Sequence, residues 1–144
     1  VYVLPSTTIP QGLTALLAFD AEAELKENQL NMVNAIQKVG TGQITFAARD
    51  SVFDGHKIKK DEILALENNK VAFTEKDVTK AVVRLTKQMV KRDSTFVTLI
   101  YGEGVTLEQA QETEAAVRAK LSDSVDLVLI EGNQPVYYYI ISVE

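Results

Sequence analysis

The sequence predicts an α/β domain: a mixed β-sheet with packed helices, plus a small antiparallel hairpin unit. Three observations carry that expectation. The apolar runs TFVTLIYG (Thr95 to Gly102) and VDLVLI (Val125 to Ile130) flank a helical pattern, VTLEQAQETEAAVRAKL. That is the strand–helix–strand order of a right-handed parallel crossover. The segment DSVFDGHKIKKDEILALENNKVAF holds two turn signals, Asp54-Gly55 and Asn68-Asn69, between short apolar runs. The closing stretch EGNQPVYYYIISVE turns too tightly for another crossover, so its strand, expected over Val136 to Val143, must return antiparallel.

Taken in order, Val1 to Leu4 reads as a short strand stopped by Pro5, which lacks a backbone donor. PQGLTALLAFD opens a short apolar helix. From Asp20, residues Leu25, Met32, Val33, Ile36 and Val39 recur at helical spacing, with acids early, Lys38 late and Gly40 as the stop. QITFAAR alternates as a strand with two unlike faces. Thr74 is the expected cap, with Asp77 as its reciprocal partner, of a helix whose stripe is Val78, Ala81, Val82, Leu85 and Met89. Thr95 to Gly102 and Val125 to Ile130 read as strands buried on both faces. Between them, Thr106 and Gln109 match a capping box, with Leu107, Ala110, Val117 and Leu121 inward. In the last strand Tyr137 and Tyr139 should share one face and Tyr138 the other, the apolar rings packed and the hydroxyls wet.

At 144 residues the chain fits one domain, and its 46% hydrophobic and 24% charged composition is that of a globular protein. Twenty acids against fifteen bases give a net charge of -5, which argues against nucleic acid or an anionic membrane as partner. The absence of cysteine excludes disulfides and thiolate metal sites within the chain. No apolar run approaches the ~20 residues of a membrane span. Val1 in place of Met, opening the stretch VYVLPS, suggests an upstream part: residues 1–6 are expected to be a remnant strand of a preceding α/β lobe, and 7–144 the domain proper.

No catalytic set assembles from the residues. YGEGVT sits between strand and helix but lacks the third glycine of a dinucleotide fingerprint and the Gly-Lys-Ser/Thr of a P-loop, and Glu103 would repel phosphate. His56, the single histidine, has no evident orienting partner, and Ser51 lacks a nucleophile elbow. Asp50, Asp54 and Asp61 miss the calcium-loop register. Lys57, Lys59 and Lys60, followed by Asp61 and Glu62, read as a salt-bridged solvated surface.

TIPQGLTALLAFD, GQITFAARDSVFDGHKIKKDEILALENNKV, VTLIYGEGVTLEQAQ and GNQPVYYYIISVE, in this order, resemble the C-terminal domain of the fatty acid kinase A subunit, FakA, of the dihydroxyacetone-kinase-like, DegV-associated family. The resemblance implies a DegV-like lobe, with DGHKIKKDEILALENNKV similar to the hairpin that follows a turn in such lobes. It implies a non-catalytic domain of a cytoplasmic bacterial enzyme. An upstream domain would bind ATP and magnesium and phosphorylate fatty acids for phospholipid synthesis, while this region docks FakB, the DegV-type fatty-acid-binding protein. The phosphate-site aspartates of the kinase domain and the cysteine and histidine elements of the middle domain do not occur here. No catalytic residue, metal or cofactor is therefore carried over. Partner contacts are expected at loops near strand ends: Arg49, Asp50, Asp54, Glu131, Asn133, Gln134 and Tyr137. Two alternatives stand beside docking, a fatty-acid-binding lobe and a homodimerisation module.

Overall fold

The described residues, 1–53 and 55–144 of a computed structural model, form two sheets and four helices. The order is α1 (Ile9–Leu17), α2 (Leu25–Gln37), β1 (Gly40–Phe46), β2 (Ser51–Phe53), β3 (His56–Ile58), β4 (Ile63–Glu67), β5 (Lys70–Glu75), α3 (Val78–Met89), β6 (Phe96–Tyr101), α4 (Leu107–Arg118), β7 (Asp126–Glu131) and β8 (Tyr139–Val143). The main sheet runs β5-β4-β1-β8-β6-β7, while β2 and β3 pair only with each other. β6 and β7 are parallel and the other neighbours antiparallel, so the sheet is mixed as expected.

Local chemistry explains most boundaries. Thr106 and Gln109 close a complete capping box on α4. Asn68 and Asn69 take φ of 49° and 66°, the left-handed pair that a two-residue hairpin requires, and Glu67 pairs with Lys70 across them. That hairpin belongs to the main sheet, so the small antiparallel unit is β2–β3 alone. The cap of α3 is Asp77, whose carboxylate accepts from the Lys80 backbone N–H; Thr74 instead lies in β5, paired with Leu64. An extended residue already bonded into a ladder is not free to start a helix three positions early.

The core lies between the sheet and α3 with α4. Ile44, Ala65, Leu85, Leu99 and Ile141 are fully buried there, and the α3 stripe is seated as the sequence predicts. At Gly42 an added Cβ would stand 2.7 Å from Met89 Sδ and 2.9 Å from Leu85 Cδ2, so α3 approaches the sheet as closely as it does because that position is glycine. Thr79 and Thr113 share a 3.0 Å hydrogen bond between α3 and α4.

The opposite face is covered only in part. Thr8 caps α1 and shares a 2.8 Å hydrogen bond with Thr41, and Thr14 donates to the Glu144 carboxylate at 2.8 Å, placing α1 against β1 and the end of β8. Beyond that cover Phe96, Val128 and Ile130 stand 37%, 38% and 45% exposed. The expectation that β6 and β7 are buried on both faces is therefore wrong: β7 is an edge strand, and α4 covers one of its faces. Val1 to Leu4 form no strand, since no neighbouring strand offers them a ladder. Leu107 and Leu25, expected inward, are exposed first-turn residues.

The last strand departs most from its reading. It begins at Tyr139, not Val136, because Val136 has φ of 71°, a conformation that ends any extended run. It also does not lie beside β7. The segment 132–138 crosses the end of β6, and β8 inserts between β6 and β1. Gly102 permits that crossing, as a Cβ there would collide with the carbonyl oxygens of Tyr137 and Gln134.

Candidate functional site

β1 runs parallel to β6, since each is antiparallel to β8, so the carboxyl ends of β1, β6 and β7 lie at one end of the sheet. In open α/β sheets this is the end at which loops meet ligands and partners. Three connections emerge there: the β6–α4 loop at 102–106, the β7–β8 segment at 132–138, and the long β1–β4 connection that carries the β2–β3 hairpin.

The 132–138 segment is pinned on every side. Gly132 N–H donates to Tyr101 O at 2.9 Å, Glu103 N–H to Gln134 O at 3.2 Å, and Gly102 N–H to Tyr138 O at 2.9 Å. On the β1 side Tyr138 N–H donates to Ile44 O at 2.8 Å and the Thr45 hydroxyl to Val136 O at 2.9 Å. The Phe46 and Tyr138 rings meet at 6.0 Å with a 52° tilt, so Tyr138, expected opposite Tyr139, packs against the same core. These bonds hold Val136 in its left-handed conformation with its side chain 60% exposed.

Six of the seven expected contact residues lie at this end; Asp54 lies outside the described residues. Glu131 closes β7, exposed and in register with Tyr101. Asn133 is exposed at φ of 52°, a conformation that asparagine tolerates. Gln134 is tied inward, its amide donating to Ile100 O at 3.1 Å and Tyr137 O at 3.3 Å, which leaves it a brace of the loop. Tyr137 is half-buried, its N–H donating to Pro135 O at 2.8 Å. Arg49 and Asp50 are exposed beyond β1, and Asp50 accepts from the Lys60 backbone N–H at 2.6 Å. Three strand spacings, roughly 14 Å, separate β1 from β7, so Arg49 and Glu131 belong to one end without forming one cluster.

Two phenols lie behind the loop in the row Ile44, Tyr139, Tyr101, Glu131. Burial, and after it the Glu131 carboxylate, pushes the Tyr101 pKa up. Burial does the same to Tyr139, partly opposed by the nearby Thr113 hydroxyl, with Tyr101 adding a smaller upward push. The Tyr139 oxygen is nonetheless left without a hydrogen-bond partner. A phenol held neutral in this way is no base at neutral pH. Among the described residues no three histidine, cysteine or carboxylate side chains gather to hold a metal. His56 faces Phe53 across the β2–β3 pair. The arrangement offers a rigid, shaped surface with exposed polar groups, not an acid–base pair. The sequence signals tyrosines and turn glycines here, but nothing local marks Val136 as left-handed or Thr45 as its anchor.

The topology is that of a mixed-sheet α/β domain, a fold shared with DegV family proteins. A DegV family protein from Corynebacterium glutamicum matches with a TM-score of 0.62 at 14% identity, over 92% of this chain and 57% of that one. A fatty acid binding DegV family protein from Streptococcus agalactiae matches at 0.55 and 13%, over 92% and 54%. The family is narrower still: the model for the FakA-like C-terminal domain of fatty acid kinases matches residues 1–144, and the chain belongs to that family. Protein YloV of Bacillus subtilis is 38% identical over 144 residues, and an uncharacterized protein of Staphylococcus haemolyticus 35% over 142. The chain spans 26% of the length of each.

Proposed function

We propose that this domain is a non-catalytic docking module of a bacterial, cytoplasmic fatty acid kinase. It holds a fatty-acid-loaded DegV-type protein, FakB, beside a kinase domain that supplies ATP, magnesium and all of the chemistry. The observation that carries this reading is the family match over residues 1–144, in a chain that spans about a quarter of its relatives' length. The braced sheet end supports it, because docking needs fixed shape and exposed polar groups rather than a nucleophile. Arg49, Asp50, Asp54, Glu131, Asn133 and Tyr137 are the proposed contacts, and Gln134 holds the loop that presents several of them. The product, an acyl phosphate, would enter phospholipid synthesis.

Isothermal calorimetry of the purified chain against a fatty-acid-loaded DegV-type protein tests docking, with saturable binding expected. Binding by the kinase domain alone would reject the reading, and ATP turnover by this chain would reject its non-catalytic half. A fatty-acid-binding lobe is favoured less. A cavity of about 840 Å³ is lined largely by polar groups such as Asn31, Asn34 and Lys38, and the apolar groove of about 400 Å³ bordered by Ile9, Leu13, Leu16 and Met32 leaves those α1 side chains largely open to solvent, where an acyl chain needs enclosing apolar walls.

A further inference from the structure

α1 turns an apolar face away from the core. Ile9, Leu13, Leu16 and Leu17 fall on one side of the helix by their spacing, and they are 51 to 88% exposed. Ile9, Leu13 and Leu16 border an open groove together with Leu4 and Met32. Gly12 lines the same groove. Beyond its own helix backbone and chain neighbours, nothing lies within 4 Å of where its Cβ would stand. Glycine inside a helix is destabilising relative to alanine, and no packing within this chain requires it at position 12.

Three properties of this face fit a second copy of the same chain. The first is size. The four α1 side chains, with Leu4 and Met32 at the margin, offer on the order of 500 Å² of apolar surface, close to the apolar two-thirds of one side of a standard homodimer interface. The second is charge: α1 has no charged residue, so the face does not repel its own copy and offers nothing to select a charged partner. The third is the pattern. An antiparallel copy of α1, related by a two-fold axis between positions 12 and 13, sets Ile9 opposite Leu16 and Gly12 opposite Leu13, and each contact occurs twice. The notch at Gly12 then receives Leu13 of the second copy, and antiparallel packing opposes the two helix dipoles favourably.

We propose that α1 is a self-association face through which two copies of this chain pair, antiparallel, about a two-fold axis between Gly12 and Leu13. Thr8 bonds to Thr41 at the start of β1 and Thr14 to Glu144 just past β8, so α1 lies at the end of the sheet away from the loops proposed to dock the partner. Pairing through α1 leaves both docking ends open, and it does not depend on the docking reading.

Sedimentation equilibrium of the native chain from about 1 μM to about 1 mM should show monomer giving way to dimer, as an interface of this modest size associates weakly. Leu13→Lys and Leu13→Glu each place a charge beside its own copy across the axis, and each should raise the dissociation constant at least about tenfold. An equimolar mixture of the two variants should associate again, since the facing charges are then opposite. Gly12→Leu fills the notch: it should melt no lower than the native chain at 1 μM or so, where both are monomers, yet dimerise several-fold more weakly. Circular dichroism confirms the fold of each variant. A native chain that stays monomeric throughout the range overturns the proposal. A dimer indifferent to both Leu13 variants places the interface elsewhere and also overturns it. Failure of the mixture to associate, with each variant monomeric alone, overturns the two-fold register. A monomeric native chain whose calorimetric binding to a fatty-acid-loaded DegV-type protein is lost in Leu13→Lys assigns the face to that partner, which overturns self-association while docking stands.

Discussion

Val136 concentrates the cost of the closing loop in one residue. A β-branched side chain at φ of 71° is strained by roughly 1–3 kcal/mol, and the Thr45 hydroxyl and Tyr138 N–H bonds on either side of it hold it there. Val136→Gly removes that strain and adds the smaller entropy penalty of glycine. Urea unfolding should show it more stable by about 1 kcal/mol; a loss of stability would mean that the valine side chain contributes packing despite its exposure. Tyr139 carries a second residue-scale cost, a buried hydroxyl without a partner. Tyr139→Phe is expected to unfold at equal or higher urea, by up to about 1 kcal/mol, because no hydrogen bond is lost. Both Tyr101 and Tyr139 hold their protons more tightly than the ordinary 10.0. Their contribution is therefore complete below pH 10 and is lost as pH rises past it, since the unfolded chain ionises first. Melting temperature followed from pH 8 to 11 should fall at the alkaline end, and fall less in Tyr139→Phe.

Elements whose boundaries rest on a local bond were legible in the sequence; those whose place depends on a distant partner were not. The α4 capping box and the Asn68-Asn69 turn each require only a few adjacent residues, and both formed as read. The neighbours of β8 depend on Gly102 clearing a path across β6, which no local pattern displays. The same distinction separates the site residues. Asn133 could be placed in an exposed turn from its type, whereas the inward brace of Gln134 depends on Ile100, far away in sequence. The Asn68-Asn69 turn yields an asymmetric prediction. Asn68 Oδ1 accepts from the Thr41 N–H at 3.0 Å, while only the left-handed backbone of Asn69 is demanded of it. Asn69→Gly should stabilise by roughly 0.5 kcal/mol and Asn68→Gly should cost about 1 kcal/mol, both read by thermal unfolding. Equal effects would remove the role given to the Asn68 side chain.

The molecule as a whole exposes more surface than its mass requires. A folded monomer of this size has about 7,350 Å² of accessible surface by the usual scaling, whereas this chain has 9238 Å². Exposed Val1 to Val3, and Val52 and Phe53 of the β2–β3 hairpin, contribute to the excess, and so does α1. Its buried residues are Pro10 and Ala15, while Ile9, Leu13, Leu16 and Leu17 face solvent, so a helix with an apolar stripe turns that stripe outward. Sequence periodicity locates such a stripe but cannot say which way it points; here the Thr8–Thr41 and Thr14–Glu144 bonds accompany an orientation in which Pro10 and Ala15 face inward. None of these four exposed side chains belongs to the core between the sheet, α3 and α4. Leu13→Lys with Leu17→Glu should therefore leave the melting temperature within about 2 °C of the native chain, since exposed substitutions rarely change stability by more than ~0.5 kcal/mol. The same double variant should lower dye binding to exposed apolar surface and any rise in light scattering with concentration. A large loss of thermal stability would instead show that the stripe packs within the domain and that the excess surface lies elsewhere.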